Sequence, residues 1–417
     1  MLSTSSTLTF EAARPAVPAP GGRLARVGTL SDERAHSGQC AFSSLLTDCC
    51  TAPGWLSVRH LLIFMAGRTR SLGTELLVRF ETMVRAAPGW LSARPSTLLM
   101  TERTPISPIQ ADAYHLPVFP AEITTWMAAG ADTFIIDGTL GGGGHSEIFL
   151  KAGARVLGVD RDPEALAHAR QRLASYGGQF STWEGNFARL PEIPEIQRGE
   201  RADGLLLDLG VSSRQLDSAE RGFSFMRDGP LDMRMGPSSP RTAADIVNRW
   251  PEADIVRILF EFGEESRARR IAGAIVRQRV VKPFITTLDL ADFIEKTIGR
   301  HGRTHPATKT FQAIRMAVNE ELESLASALA NASSALKPGG RLLIITFHSL
   351  EDRMVKRFLK HRSSEFLDEP GWPEPRPNPD FQYRLLARKS IAPSAAETSL
   401  NPRARSAKLR VAQLLAH

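Results

Sequence analysis

Cysteine is nearly absent from this chain of 417 residues: there are three, Cys40, Cys49 and Cys50, and none beyond residue 50. That excludes a disulfide framework or a cysteine-held zinc from the main body, and it fits a reducing, cytoplasmic setting. Lysine is missing from residues 1–100, which carry 10 Arg against 6 Asp+Glu. Long apolar runs are missing too. The longest uncharged one in the N-terminal region, Leu61 to Gly67, is far short of the roughly 20 residues of a membrane helix. No basic-then-apolar secretory signal opens the chain. Beyond residue 100, 42 Lys+Arg stand against 39 Asp+Glu. A sequence pI near 9.6 is therefore compatible with nucleic acid without demanding it.

Residues 1–110 are rich in Ser, Thr, Ala, Pro and Arg and show no sustained helical or strand period, so disorder is expected there. A duplicated Ala-Pro-Gly-Trp-Leu-Ser, at Ala52 and Ala87, is too short for a structural repeat. Two readings stay open: an Arg-rich targeting leader, or a misassigned start, with Met100 as the true one. The second is preferred. From Phe119 onward helical and strand patterns alternate. Helix 119–129, strand 133–136, helix 146–152 and strand 155–159 are followed by a helix after Pro163 and strands 180–183 and 204–208. Repeated βαβ units imply a parallel sheet covered on both faces.

The alternation stops after Asp208 and resumes at the apolar strand Arg341–Thr346, introduced by a turn at Lys337–Gly340. Amphipathic segments at 252–262, 264–280 and 287–298 fill the interval and read as an inserted helical domain, residues 214–311. The main domain would then comprise residues 111–213 and 312–417.

The sharpest motif is Asp137-Gly-Thr-Leu-Gly-Gly-Gly-Gly-His-Ser146, between an apolar strand and a helix. Glycines there permit positive φ and let a nucleotide-like ligand approach the backbone. A second strand ends at Asp160, whose carboxylate suits the two hydroxyls of a ribose. Dinucleotide sites need G-x-G-x-x-G; here neither register supplies the third glycine, since Ser146 or Glu147 falls in its place. Asp137 would also repel a pyrophosphate. The loop therefore favours S-adenosylmethionine over NAD.

Asp208-Leu-Gly-Val-Ser-Ser213 ends the fourth strand, where a polar acceptor can hold an amine towards a methyl donor. Asp208 leads there as a catalytic residue, with Ser212 second, although Ser212 and Ser213 read equally well as capping hydroxyls. Without cysteine in the body, a covalent-cysteine route to a pyrimidine carbon is disfavoured, which points to nitrogen or oxygen as acceptor. His348, after the fifth strand, is a candidate proton acceptor or an ordinary structural histidine. Arg221, Phe223, Phe225 and Arg234 lie in a loop-like stretch able to stack a base and neutralise phosphate, or else to plug a domain junction. Arg267, Arg269, Arg270, Arg277, Arg279 and Lys282 form a basic stretch on the inserted helices. Asn319, Glu320 and Glu321 lie on one long helix, 310–336, as candidate functional residues or else as plain solvated positions. No metal is expected.

Together, Asp137–Ser146, Val159–Pro163, Leu207–Leu216, Arg221–Phe225, Thr310–Glu320, Thr346–Asp352 and Asn401–Lys408 resemble the bacterial ribosomal RNA small-subunit methyltransferase H family, formerly MraW. The resemblance spans roughly 115–412 and departs only in the four-glycine run. It implies a class I S-adenosylmethionine-dependent methyltransferase, an α/β Rossmann-like sheet with an inserted helical domain that helps hold substrate. The implied reaction is methylation of N4 of a cytidine in the decoding region, the P site, of 16S rRNA. The implied cofactor contacts are Gly143, Gly144, His145, Asp160, Phe187, Asp208 and Gln215, with Phe187 flanking the adenine. Naked rRNA and an assembled 30S particle both stay open as substrate, as do monomer and dimer. A non-catalytic nucleotide-binding module and a small-molecule N-methyltransferase are the competing classes.

Overall fold

A computed structural model describes residues 117–300 and 302–416. The expectations for residues 1–110 lie outside the described residues. The strands are β1 (Phe134–Asp137), β2 (Arg155–Asp160), β3 (Phe180–Glu184), β4 (Ala202–Asp208), β5 (Leu336–Thr346), β6 (Phe366–Leu367), β7 (Arg376–Pro377), β8 (Tyr383–Leu385) and β9 (Lys408–Leu414). Seven form one sheet in the order β3-β2-β1-β4-β5-β9-β8, while β6 and β7 make a separate ribbon. Strands β1 to β5 run parallel; β9 is antiparallel to both β5 and β8. This antiparallel edge was not read from the sequence.

The chain moves outward from β1 through β2 to β3, then returns to place β4 on the other side of β1. That reversal opens a crevice at the carboxyl ends of β1 and β4, where open α/β sheets take their ligands. Alternate side chains of the strands enter opposite layers. Ile136, Leu205, Leu207, Leu342 and Ile344 join one core, and Ile135, Leu206, Leu343 and Ile345 the other. Both layers are covered by helix, which is why these strands read as continuous apolar runs.

The first helices are α1 (Pro120–Met127), α2 (Gly144–Lys151), α3 (Pro163–Arg172), α4 (Pro194–Gln197) and α5 (Ser213–Asp217). Helix α3 starts where the sequence signals it. Asp162 accepts a hydrogen bond from the Glu164 amide, and Pro163 occupies the first turn. Between β4 and β5 lie α6 (Ala243–Arg249), α7 (Glu252–Glu261), α8 (Ala268–Val281), α9 (Thr287–Ile298) and α10 (Thr308–Asn319). These helices share their own apolar cluster, which draws residues from Phe223 to Val318. It therefore takes in α10, beyond the limit of 311 set by the sequence pattern. After α10 come α11 (Glu321–Ala335), α12 (Ser349–Arg362) and α13 (Ala395–Leu400).

Two expectations are corrected. The single helix over 310–336 is two helices, broken at Glu320, which sits in left-handed backbone (φ 51°). The break coincides with capture of the Asn319 carbonyl by Arg161 at 2.9 Å, so the end of α10 is tied to the loop after β2. Strand β5 begins at Leu336 rather than Arg341. A register shift against β4, between Ala202 and Gly204, absorbs the Pro-Gly-Gly turn within the strand.

Candidate functional site

The glycine loop is held down on every side. The Gly138 amide donates to the Leu206 carbonyl at 2.9 Å and the Leu140 amide to the Val159 carbonyl at 2.9 Å. A Cβ on Gly138 would stand 2.6 Å from the Leu207 side chain, so any larger residue would force the buried Leu207 to shift. Gly141 (φ 49°) and Gly143 (φ 77°) take left-handed backbone, and Gly143 caps α2. Asp137 is fully buried beneath the loop. It accepts from the Ser146 hydroxyl at 2.7 Å, and burial raises its carboxyl from 3.8 to about 6. Asp137 thus braces the loop.

At the tip of β2, Asp160 accepts the Gly141 amide on Oδ2 at 2.8 Å and the Asp162 amide on Oδ1 at 2.9 Å. Burial raises it, too, from 3.8 to about 6. Asp162 turns away to bind Gln215 Nε2 at 3.2 Å and the Arg221 guanidinium at 2.9 Å. Gln215 in turn completes a capping box with Ser212 at the start of α5. The Ser212 hydroxyl is therefore a helix cap, facing the Gln215 amide at 3.2 Å.

Asp208 ends β4 with its carboxylate 3.6 Å from His145 Nδ1, while His145 Nε2 lies 2.8 Å from the Val118 carbonyl. Asp208 Oδ1 is buried without a hydrogen-bond partner among the described residues. Burial, then the nearby Asp137 and Glu351 charges, pushes the Asp208 carboxyl well above its usual value. These groups wall one cleft. Its lining includes Gly144, His145, Asp160, Phe187, Asp208, Ser212 and Gln215, and a wall of backbone from Gly138 to Gly142.

With the cleft defined, the sequence pattern described as the MraW methylase family matches residues 112–415. This chain belongs to the MraW methylase family. The Ribosomal RNA small subunit methyltransferase H of Carboxydothermus hydrogenoformans is 46% identical over 304 residues, covering 72% of this chain and 98% of that protein. Its counterpart in Hyphomonas neptunium is 48% identical over 316 residues, covering 74% and 90%. The expected class I methyltransferase architecture and S-adenosylmethionine as cofactor agree with membership of the MraW methylase family.

Other expected residues of this MraW family member fall outside the cleft. Gly143 lies beneath it as the cap of α2. His348 caps α12 and packs its ring against Glu351 at 3.0 Å, so the reading of an ordinary structural histidine fits its place. Phe223 is buried in the helical core. Phe225 packs against His305 and Phe311 with ring centroids 4.6 and 4.8 Å apart. Arg234 forks onto Asp232, and Arg221 holds Asp162 and the carbonyls of Arg234 and Met235. Phe223 and Arg221 are therefore taken up by internal contacts, as the junction-plug reading expects, while Phe225 is half-buried and the Arg234 side chain stays 39% exposed beside Asp232. In the basic stretch, Arg267 and Arg279 bind backbone carbonyls and Lys282 pairs with Asp289, leaving Arg269, Arg270 and Arg277 exposed.

Asn319 and Glu321 are not solvated. Asn319 bonds the Met235 amide and the Met233 carbonyl at 2.8 and 2.7 Å, and Glu321 takes both arms of Arg315. Glu321, His348 and Glu351 bring three possible metal-binding atoms within 4.8 Å, but Arg315 already supplies a cation there. Sequence reading gave no site role to Arg161, Asn186 or Phe347, which stand in the cleft wall together with Met235, the end of the loop-like stretch 221–235. Arg161 sits inside the run Asp160-Arg-Asp-Pro163, whose cap-plus-proline spacing was the available signal. Among the described residues no helix is long and apolar enough to cross a membrane.

Proposed function

We propose that this protein transfers a methyl group from S-adenosylmethionine to N4 of a cytidine in the decoding region of 16S rRNA, at the P site, within the 30S subunit. The observation that carries the reading is the unpartnered, buried Asp208 Oδ1 at the end of β4, in the wall of the cleft. A buried acceptor without a donor is costly in a folded protein and invites one from a ligand. An exocyclic amine supplies such a donor. The names of the relatives agree with an RNA substrate.

The residues present fit the methyl donor. Each Asp160 oxygen accepts one backbone amide and keeps lone pairs for the two ribose hydroxyls. Phe187 offers a flat apolar face for adenine, and Gly141, Gly142 and Gly144, with His145, border the amino-acid end. Gln215 closes the wall near Asp162. When bound, S-adenosylmethionine supplies an electrophilic methyl group. The protein's own contribution is orientation: Asp208 Oδ1 accepts one N4 hydrogen and turns the amine lone pair along the line of displacement, a proximity effect that can reach about 7–11 kcal/mol. The helical insert, with Arg269, Arg270 and Arg277 exposed, is proposed to hold RNA phosphates. A cytoplasmic site of action follows from that substrate.

Incubation with methyl-labelled cofactor and, separately, free 16S rRNA, 30S particles and nucleosides tests the reading. Label is expected in one cytidine of the rRNA, as N4-methylcytidine. Label on free nucleosides alone would make the protein a small-molecule enzyme, and none on any substrate would remove the proposal.

A further inference from the structure

Resting on that reading, we propose that His145 is the terminal proton acceptor of the reaction, drawing a proton from Asp208 Oδ2 as Asp208 Oδ1 takes one from the substrate amine. The hydrogen-bond geometry fixes the tautomer. The Val118 carbonyl, 2.8 Å from Nε2, can only accept, so Nε2 carries the hydrogen and Nδ1 presents a bare lone pair. That lone pair faces Asp208 Oδ2 across 3.6 Å in a site where both side chains are about nine-tenths buried. Two bare acceptors would repel one another there. A proton on Oδ2 resolves the conflict and leaves the buried, unpartnered Oδ1 as the acceptor for the substrate amine.

The proton balance then closes. As the new N4–C bond forms and the S–C bond breaks, positive charge passes to the amine. One N4 hydrogen moves to Asp208 Oδ1 while the Oδ2 hydrogen moves to His145 Nδ1. Asp208 is neutral before and after, and the charge that began on the sulfonium ends on the imidazolium. The Val118 carbonyl, already bonded to Nε2–H, stabilises that cation. Burial holds His145 down at about 4 and Asp208 well above its usual value, both consistent with a neutral resting pair. An amine cation conjugated to a pyrimidine is a much stronger acid than imidazolium, so transfer runs downhill. The low value of the imidazole then lets it release the proton to water at neutral pH. The other acids near Asp208 are Asp137, bonded to the Ser146 hydroxyl, and Glu351, bonded to His348 and backbone amides; neither faces Nδ1.

The test compares wild type with His145→Gln, which keeps an N–H for Val118 but no base. Single-turnover methylation of 30S particles should slow by about 100-fold or more, the range of general-base loss. The KM for 30S should stay within about threefold, and the rates are compared at saturating S-adenosylmethionine, because His145 also borders the cofactor. In His145→Ala, added imidazole should restore part of the rate, which a purely structural role would not allow. A rate within threefold of wild type in His145→Gln, with binding intact, overturns the relay. Should either variant fail to fold, a proton inventory of the wild-type single turnover decides: a curved dependence on deuterium fraction supports two protons in flight, and a linear or flat one overturns it. Wild type that methylates no cytidine at all would instead remove the proposed function.

Discussion

Asp160→Asn tests the ribose assignment most directly. The substitution keeps the shape of the side chain but replaces one oxygen by a donor. One of the two backbone amides now satisfied, Gly141 on Oδ2 or Asp162 on Oδ1, would then meet an N–H in place of an acceptor. At the same time a ribose hydroxyl loses its charged partner. A hydrogen bond to a charged group contributes about 1.5–3 kcal/mol, and each 1.4 kcal/mol is tenfold in affinity. The dissociation constant for S-adenosylhomocysteine at pH 8 should therefore rise about 10- to 100-fold by calorimetry. Wild type should also bind more weakly as pH falls through about 6, because protonation turns one Asp160 oxygen from acceptor to donor. Asp137 titrates in the same window, so the comparison with the variant matters. The part of the pH dependence that belongs to Asp160 should vanish in Asp160→Asn. An unchanged dissociation constant in the folded variant, with the pH profile intact, would refute the assignment.

Asp137→Asn should reduce the pH dependence of stability of the ligand-free protein. A folded value of about 6 against 3.8 means the native state binds more protons between those values, so this group's contribution makes the protein more stable as pH falls from 7 to 4, by about 3 kcal/mol in full; thermal melts of both proteins at pH 7.5 and 5.5 would show it, and identical pH responses would count against it. Arg221→Ala leaves buried Asp162 without its cation, a loss of about 3–5 kcal/mol for breaking a buried pair, measurable by urea unfolding. Phe223→Ala should cost about 3–5 kcal/mol of stability while leaving cofactor affinity within threefold, since the ring lies in the insert core; a loss of RNA binding with no loss of stability would restore it as a base-stacking residue.

Much of the site was legible because it is local. The loop Asp137–Ser146 and the acid at the tip of β2 follow from a strand, a turn needing positive φ and a helix start, all within consecutive residues. The inserted helices were legible from their apolar period, and the central strands from runs buried on both faces. What the sequence could not decide are choices between partners far apart in the chain. Residues 310–336 contain no glycine or proline to signal a break, yet Asn319 is held by Met233, Met235 and Arg161, and those contacts accompany the left-handed turn at Glu320. Arg221, Phe223, Phe225 and Arg234 have the same chemistry whether they stack a base or plug a junction. Only the tertiary structure, by placing Asp162, Asp232, His305 and Phe311 beside them, gives each of Arg221, Arg234 and Phe225 its partner and buries Phe223. The same holds for Asp208. Its position at a strand end is sequence, but its bare Oδ1 and its histidine neighbour exist only because β1, β4 and α2 meet at one edge of the sheet. Local backbone geometry is written in neighbouring residues, whereas the partner of a polar side chain is set by the packing of distant ones.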